Sequence, residues 1–460
     1  MTITPSVDAL ADLDRRHVFH PFSVPGAHEA AGPRRMIVSG QGTTLTDEQG
    51  RTYLDAMAGL WCVNVGYGRV EIADALREQA VRLAYYHSFS SMATDTPAML
   101  AARILEHAPE GMSKVLYGNS GSDANDTQVK LVRMYNNLLG RPAKKKVIAR
   151  RRGYHGVSVA SASLTGLPGM HTAFDLPMAG IVHTGAPHRL WEALDGESDA
   201  DFSARLAREL EELILAEGPD TVAAFIAEPI QAAGGVIIPP EGYFAAIQDV
   251  LRKYDVLLIA DEVVCGFGRL GTWFGSEKLG MEPDLITVAK GLTSAYIPLS
   301  AVIVSEKVWR VIADRSGSAT FSHGYTYTSH PLSAAAALAN LDVIENEGLL
   351  DRVVSVGAYM QSALRAALAD HPLVGEVRGT ELIAAVEFVA SRDPVTRFEP
   401  LGSIGAAVTR ECLERGVITR ALPEGDSISF SPPFVVTEAE IDEIVGVVRE
   451  AADVVAARVG

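Results

Sequence analysis

Hydrophobic positions along the chain follow two regimes. In the middle, six short apolar runs, at residues 115–117, 147–149, 223–227, 256–260, 285–289 and 301–304, end in polar or glycine residues and alternate with amphipathic stretches. Continuous rather than alternating apolarity marks strands buried on both faces, so the pattern predicts an α/β core: a mostly parallel sheet covered by helices. Over 206–217, Leu206, Leu210, Leu213 and Ile214 fall on one face and Arg208, Glu211 and Glu212 on the other, the 3.6-residue period of a crossover helix. A second such helix is predicted over 244–254.

After about residue 335 the pattern changes. A long Ala-rich helical stretch leads to apolar segments at 382–388, 416–420 and 427–430, and the alternation in the last predicts a half-exposed antiparallel sheet. Thr437-Glu-Ala-Glu440 has the form of a capping box opening a final helix with Ile441, Ile444, Val445 and Val448 on one face. The expected organisation is an N-terminal segment (1–65) with a meander around 36–46 that packs on the small domain or the core, a large α/β domain (66–335) and a smaller C-terminal α+β domain (336–460).

Composition narrows the function. A formal charge of −17 repels phosphate backbones and anionic bilayers, which argues against nucleic-acid and membrane partners and favours small-molecule chemistry. No run approaches 18 apolar residues, and the opening MTITPSVDALADLDRR lacks the basic and apolar regions of a leader, so neither a membrane span nor a targeting segment is expected. Cys62, Cys265 and Cys412 form no C-x-x-C pair or disulfide framework. A reducing, cytoplasmic compartment and no metal site are the expectation.

Three constellations sit where apolar runs end, the edge of an open α/β sheet at which ligands gather. Gly118-Asn-Ser-Gly-Ser-Asp-Ala-Asn125 joins a predicted strand to a helix; it reads either as a phosphate cradle at a helix N-terminus or as a capped turn. Lys290 closes a run directly before glycine, as a partly desolvated Schiff-base nucleophile or as a solvated strand-end lysine. Asp261 ends another run, as the partner of a protonated ring nitrogen or as a cap or magnesium carboxylate.

Taken together and in this order, the motifs resemble the class III (fold type I) pyridoxal-phosphate aminotransferases over nearly the whole chain, most closely the omega-amino acid or omega-amine:pyruvate transaminase branch. The supporting segments are the cradle through Asp126, Arg152-Gly-Tyr-His-Gly156, Glu228-Pro-Ile-Gln231, Asp261-Glu-Val-Val-Cys-Gly-Phe-Gly-Arg269, Ala289-Lys-Gly291 and His323-Gly-Tyr-Thr-Tyr-Thr-Ser-His-Pro331. The resemblance implies pyridoxal 5′-phosphate as cofactor, pyridoxamine 5′-phosphate as its alternate form, and an internal aldimine on Lys290, which then shuttles the proton. It implies that Asp261 pairs with the pyridine nitrogen and that Ser120, Gly121 and Ser122 bind the phosphate, joined by Thr326 of a neighbouring subunit. Tyr154 and Val263 would flank the ring, with His155 and Glu228 supporting the cradle and the cofactor's surroundings.

For substrate, Phe22, Trp61 and Phe89 fall where this branch lines its pocket with aromatics, and Arg420 where it carries a mobile arginine for the acceptor's carboxylate. Ornithine- and GABA-type relatives have glutamate in place of Ala233 and glutamine in place of Val264, so both residues point toward the pyruvate-coupled branch. Two further departures are Asp123, in place of the cradle's glutamate, and Arg378-Gly-Thr-Glu-Leu, in place of a glycine-rich turn. The implied activity is a ping-pong transfer from an amine or omega-amino acid donor to pyruvate or a similar 2-oxo acid. It would take place in a homodimer with shared sites, or in a tetramer. The rivals are a racemase, mutase or decarboxylase of the same fold, and a non-catalytic cofactor-binding protein.

Overall fold

The computed structural model describes residues 7–459; the first six residues of the N-terminal stretch and Gly460 lie outside the described residues. An antiparallel meander comes first, β1 (Ile37–Gln41), β2 (Thr44–Asp47) and β3 (Thr52–Asp55). The central sheet follows, built from β4 (Met112–Gly118), β5 (Lys146–Arg150), β6 (Ile181–Thr184), β7 (Val222–Ala227), β8 (Leu257–Asp261), β9 (Leu285–Val288) and β10 (Ser300–Ser305) in the order β4-β10-β9-β8-β7-β5-β6.

All six apolar runs are strands of this sheet, and their continuous apolarity has a direct cause. Val147 and Ala149 of β5 pack on one face with Leu131, Val132 and Tyr135 of the helix Gly121–Leu138, while Ile148 faces Phe202, Leu206 and Leu210 of the helix Asp199–Glu217. Each strand is covered twice. The missed strand, β6, lies at the edge with Val182 and His183 only half-buried, so no apolar run announces it.

β10 alone runs antiparallel to its neighbours. A parallel return needs a crossover of a dozen or more residues, usually a helix. Between β9 and β10 there is only the 3-10 turn Lys290–Leu292, so the chain doubles back, and this reversal holds Lys290 at the carboxyl edge of the sheet.

The C-terminal part adds β11 (Val374–Thr380), β12 (Ile383–Phe388), a separate ribbon of β13 (Ser391–Arg392) and β14 (Val395–Thr396), β15 (Val417–Ile418), β16 (Arg420–Ala421) and β17 (Ser427–Phe430). Strands β11-β12-β17-β16 form an antiparallel sheet, as expected. Two expectations fail here. β17 is buried on both faces rather than half-exposed, because the N-terminal segment covers its polar side: Ser429 Oγ donates to Met57 Sδ at 3.4 Å, and Ser431 Oγ to the Met57 carbonyl at 3.2 Å. The stretch 416–420 is not one strand either, since β15 pairs in parallel with β3 while β16 joins β17. β11, unannounced by its polar sequence, carries the buried Arg378, whose guanidinium meets Glu387 at 2.6 Å and the Gly235 carbonyl at 2.7 Å. The Arg378 departure is thus an ion pair between strands that also fastens the loop after β7.

The capping box at Thr437 and Glu440 is present and opens the helix Glu438–Val459. Among the described residues no helix is long and apolar enough to cross a membrane.

Arg269 ties these parts together. Fully buried, it donates to the carbonyls of Leu382 (3.1 Å) and Pro432 (2.6 Å) and to Asn64 Oδ1 (2.8 Å), and lies 4.8 Å over the ring of Phe434. Replacing it by methionine leaves three buried acceptors unpaired at about 1–3 kcal/mol each. Arg269→Met is therefore expected to lower stability by at least about 3 kcal/mol in urea unfolding, and an unchanged midpoint would contradict this role.

Candidate active site

The carboxyl ends of β4, β5, β7, β8 and β9 open onto a cavity of about 880 Å³ that is lined by residues from all five following loops. The cradle is the first wall. Ser120 is the N-cap of the helix Gly121–Leu138: its hydroxyl accepts from the Asp123 amide (3.2 Å), and the Asp123 carboxylate accepts from the amides of Ser120 (3.1 Å) and Asn119 (2.9 Å). The aspartate at this departure thus closes a capping box, and the amides of Gly121 and Ser122, which have no intrahelical partners, remain at the cavity with the positive end of the helix dipole. Space is tight: a Cβ on Gly121 would stand 3.0 Å from Val263 Cγ2.

Asp261, the last residue of β8, is buried yet borders the cavity. Its Oδ2 accepts from Asn125 Nδ2 (2.8 Å) and meets His155 Nδ1 (2.8 Å), and its Oδ1 accepts from the Val263 amide (3.1 Å). Asn125 is itself held by Thr287 Oγ1 (2.8 Å) and donates also to the His155 carbonyl (2.7 Å). His155 thus holds the carboxylate with its ring and the cradle helix, through Asn125, with its carbonyl. Asn125 had no role assigned from sequence; its signal was its place three residues after Ser122, on the same helix face.

Glu228 is buried, which pushes its carboxyl pKa up, and it accepts from the amides of Tyr154 (2.9 Å) and Ala232 (3.0 Å). It positions Tyr154, whose half-buried ring borders the cavity. Lys290 follows β9 with φ +37°, and burial pushes its amine pKa down. Among the described residues its Nζ makes no hydrogen bond, so a more readily neutral, unengaged amine faces the cavity.

The far side is mostly apolar. Arg420 of β16 reaches it, its guanidinium 5.0 Å over the Trp61 ring, with no hydrogen bond or ion pair among the described residues. Burial lowers its pKa. Trp61, Ala233, Val264 and Phe22 complete this wall, the last 70% exposed at the mouth.

Two expected residues are elsewhere. Phe89 does not line the cavity of its own chain: it packs beside Gly324, 2.7 Å from where a Cβ would stand, and is 44% exposed. Thr326 lies in the same patch, its carbonyl accepting from the Tyr85 hydroxyl (2.5 Å). The fold carries 85–91 and 321–328 away from the chain's own cavity.

Residues 26–452 match the class-III aminotransferase family. This chain belongs to the class III aminotransferases. A diaminobutyrate–2-oxoglutarate transaminase of Halomonas elongata is 53% identical over 95% of this chain and 94% of its own. Gamma aminobutyrate transaminase 1 of Solanum lycopersicum, mitochondrial, is 47% identical over 90% of this chain and 81% of its own length. An omega transaminase from Pseudomonas jessenii, solved in complex with PMP, superposes with a TM-score of 0.95 at 46% identity, covering 97% of this chain and 98% of that chain.

As a member of the family the chain is an aminotransferase that uses pyridoxal phosphate, and the site fits that group. The unengaged Lys290 amine, the hydrogen-bonded Asp261 carboxylate and the amides of the cradle suit, in turn, an aldehyde, a ring nitrogen and a phosphate. Asn125→Ala removes a hydrogen bond to a buried carboxylate and is expected to weaken retention of pyridoxal phosphate by about ten-fold or more. Equilibrium dialysis of the cofactor checks this, and wild-type retention would contradict it.

Proposed function

We propose that this aminotransferase is an omega-transaminase that moves an amino group from an amine or omega-amino acid to pyruvate or a similar 2-oxo acid in a ping-pong cycle. The observation that carries the reading is Arg420. It is a cation with no hydrogen-bond or ion-pair partner among the described residues, resting on an indole within a mostly apolar wall. A planar guanidinium accepts a carboxylate in bidentate fashion, and resting on an aromatic face leaves it free to turn toward or away from the substrate. Facing inward it suits a 2-oxo acid; turned aside, it leaves Trp61 and Phe22 to receive an uncharged amine substituent.

In this reading Ser120, Gly121 and Ser122 hold the phosphate, Tyr154 and Val263 flank the ring, and Asp261 faces the ring nitrogen. When bound, the cofactor supplies an electron-poor ring that takes up the electron pair left by a departing proton. Lys290 Nζ removes that proton from the amine-bearing carbon and returns it, a task its lowered basicity suits. Thr326 and Phe89 then serve the cavity of a partner subunit. The exposed Tyr85, Tyr86, Phe89, Met92 and Tyr327 around them are the apolar surface that such a homodimer buries.

The relatives named for diaminobutyrate and gamma aminobutyrate support a second donor and acceptor set at the same site. Ala233 and Val264 favour the pyruvate-coupled reading, because neither offers Arg420 a fixed polar partner. The deciding experiment measures alanine from pyruvate and glutamate from 2-oxoglutarate across donors with and without a carboxylate. Alanine from both donor groups is expected; product only with 2-oxoglutarate would overturn the acceptor, and racemised, rearranged or decarboxylated donor without amino transfer would overturn the reaction class. Arg420→Ala is expected to raise KM for pyruvate by about 10- to 100-fold while KM for an uncharged amine changes little. Equal changes in both would contradict the role of Arg420.

A further inference from the structure

The spacing of residues suggests no metal site, yet the fold brings three potential ligands together outside the catalytic machinery. The helices Val7–His17 and Pro25–Ala31 are joined by a turn that brings Asp14, His20 and His28 together. His20 Nε2 lies 2.9 and 3.0 Å from the two oxygens of Asp14, and His28 Nε2 lies 3.3 Å from Oδ1. The two rings stand 4.2 Å apart between centroids, and the three prospective donor atoms fall within 4.8 Å of one another.

The arrangement is incomplete as a hydrogen-bond network. Asp14 serves His20 with both oxygens, and among the described residues the buried His28 Nε2 has no hydrogen-bond partner despite its closeness to the same carboxylate. A buried polar atom left unpaired in a native fold calls for an explanation, an ion among them. Among the described residues no lysine or arginine pairs with Asp14, and the neighbouring Arg15 and Arg16 both pair with Asp12.

We propose that Asp14, His20 and His28 bind a divalent cation of the Zn²⁺ class. Bonds of about 2.0–2.1 Å in a tetrahedron put donor atoms about 3.3 Å apart, so the His28 pair already has the spacing and the His20 contact need open only slightly. Two imidazoles and one carboxylate suit Zn²⁺, whereas Ca²⁺ and Mg²⁺ demand oxygen ligands. Both histidines would ligate through Nε2, which places the ring proton on Nδ1. Side-chain exposures of 34% for His20, 20% for Asp14 and 12% for His28 leave an entry path and a fourth position for water.

The site lies beside the active-site mouth. Between His20 and His28 the chain carries Pro21 and Phe22, which line the catalytic cavity, and Phe22 is held at φ +51°. An ion fastening both ends of this strap fixes Phe22 over the apolar wall and makes the mouth responsive to metal.

The test titrates chelator-treated, cofactor-loaded enzyme with ZnCl₂ in a calorimeter, beside the His20→Ala/His28→Ala double variant and the milder His20→Gln. One Zn²⁺ per chain with micromolar or tighter affinity is expected in the wild type, weakened in each variant by more than about ten-fold, with the cofactor's visible spectrum unchanged. Zn²⁺ is also expected to slow proteolytic cleavage within 18–24 in the wild type and not in the variants. Absence of stoichiometric binding, or equal affinity in the variants, would overturn the site whatever substrates the enzyme takes.

Discussion

The site depends on holding a carboxylate by hydrogen bonds where water is scarce. Asp261 sits at the buried end of β8 with no lysine or arginine bonded to it among the described residues, and a buried carboxyl group is tolerated only when its oxygens are hydrogen-bonded. Asn125, His155 and the Val263 amide provide those bonds, and each comes from a different part of the fold: the cradle helix, the loop after β5 and the loop after β8. Thr287 of β9 and Gln128 behind it extend the chain of hydrogen bonds into the sheet. Cradle and acid are thus coupled, and the parallel sheet brings them to one edge with the lysine.

Backbone strain gathers at the same place. Phe22, Ala58, Trp61, Lys290, Ser294 and Ala295 have positive φ, and all but Ala58 and Ser294 line the cavity. Such conformations persist only where the surroundings over-determine them. Around Trp61 the cause is visible: the buried Asp55 accepts from the amides of Met57 (2.9 Å) and Gly59 (2.6 Å) and from the Tyr67 hydroxyl (2.6 Å), fixing the turn that presents the indole to Arg420.

Much of this was legible in the sequence because buried parallel strands write continuous apolar runs, and a charged residue closing such a run stands out. Asp261 and Lys290 are of that kind, and six motifs in order carried the family. The misses share physical reasons. β6 and β11 are edge strands with polar positions, Arg378 of β11 being satisfied by Glu387 and the distant Gly235 carbonyl, β17 alternates because its polar side meets Met57 rather than water, and the 416–420 run changes sheets at Thr419. Phe89 was expected at the substrate pocket but lies outside the cavity of its own chain, whereas Thr326, expected to act from a neighbouring subunit, also lies outside that cavity. Asp14, His20 and His28 follow no ligand spacing, and only the turn between two short helices brings them together.

The most direct measurement is to reduce the cofactor-loaded enzyme with borohydride, digest it, and locate the pyridoxyl group by mass spectrometry. The account predicts a single labelled peptide, with the group on Lys290. Label on any other lysine, or unlabelled Lys290 in fully loaded enzyme, would contradict the pairing of acid and amine at the ends of β8 and β9.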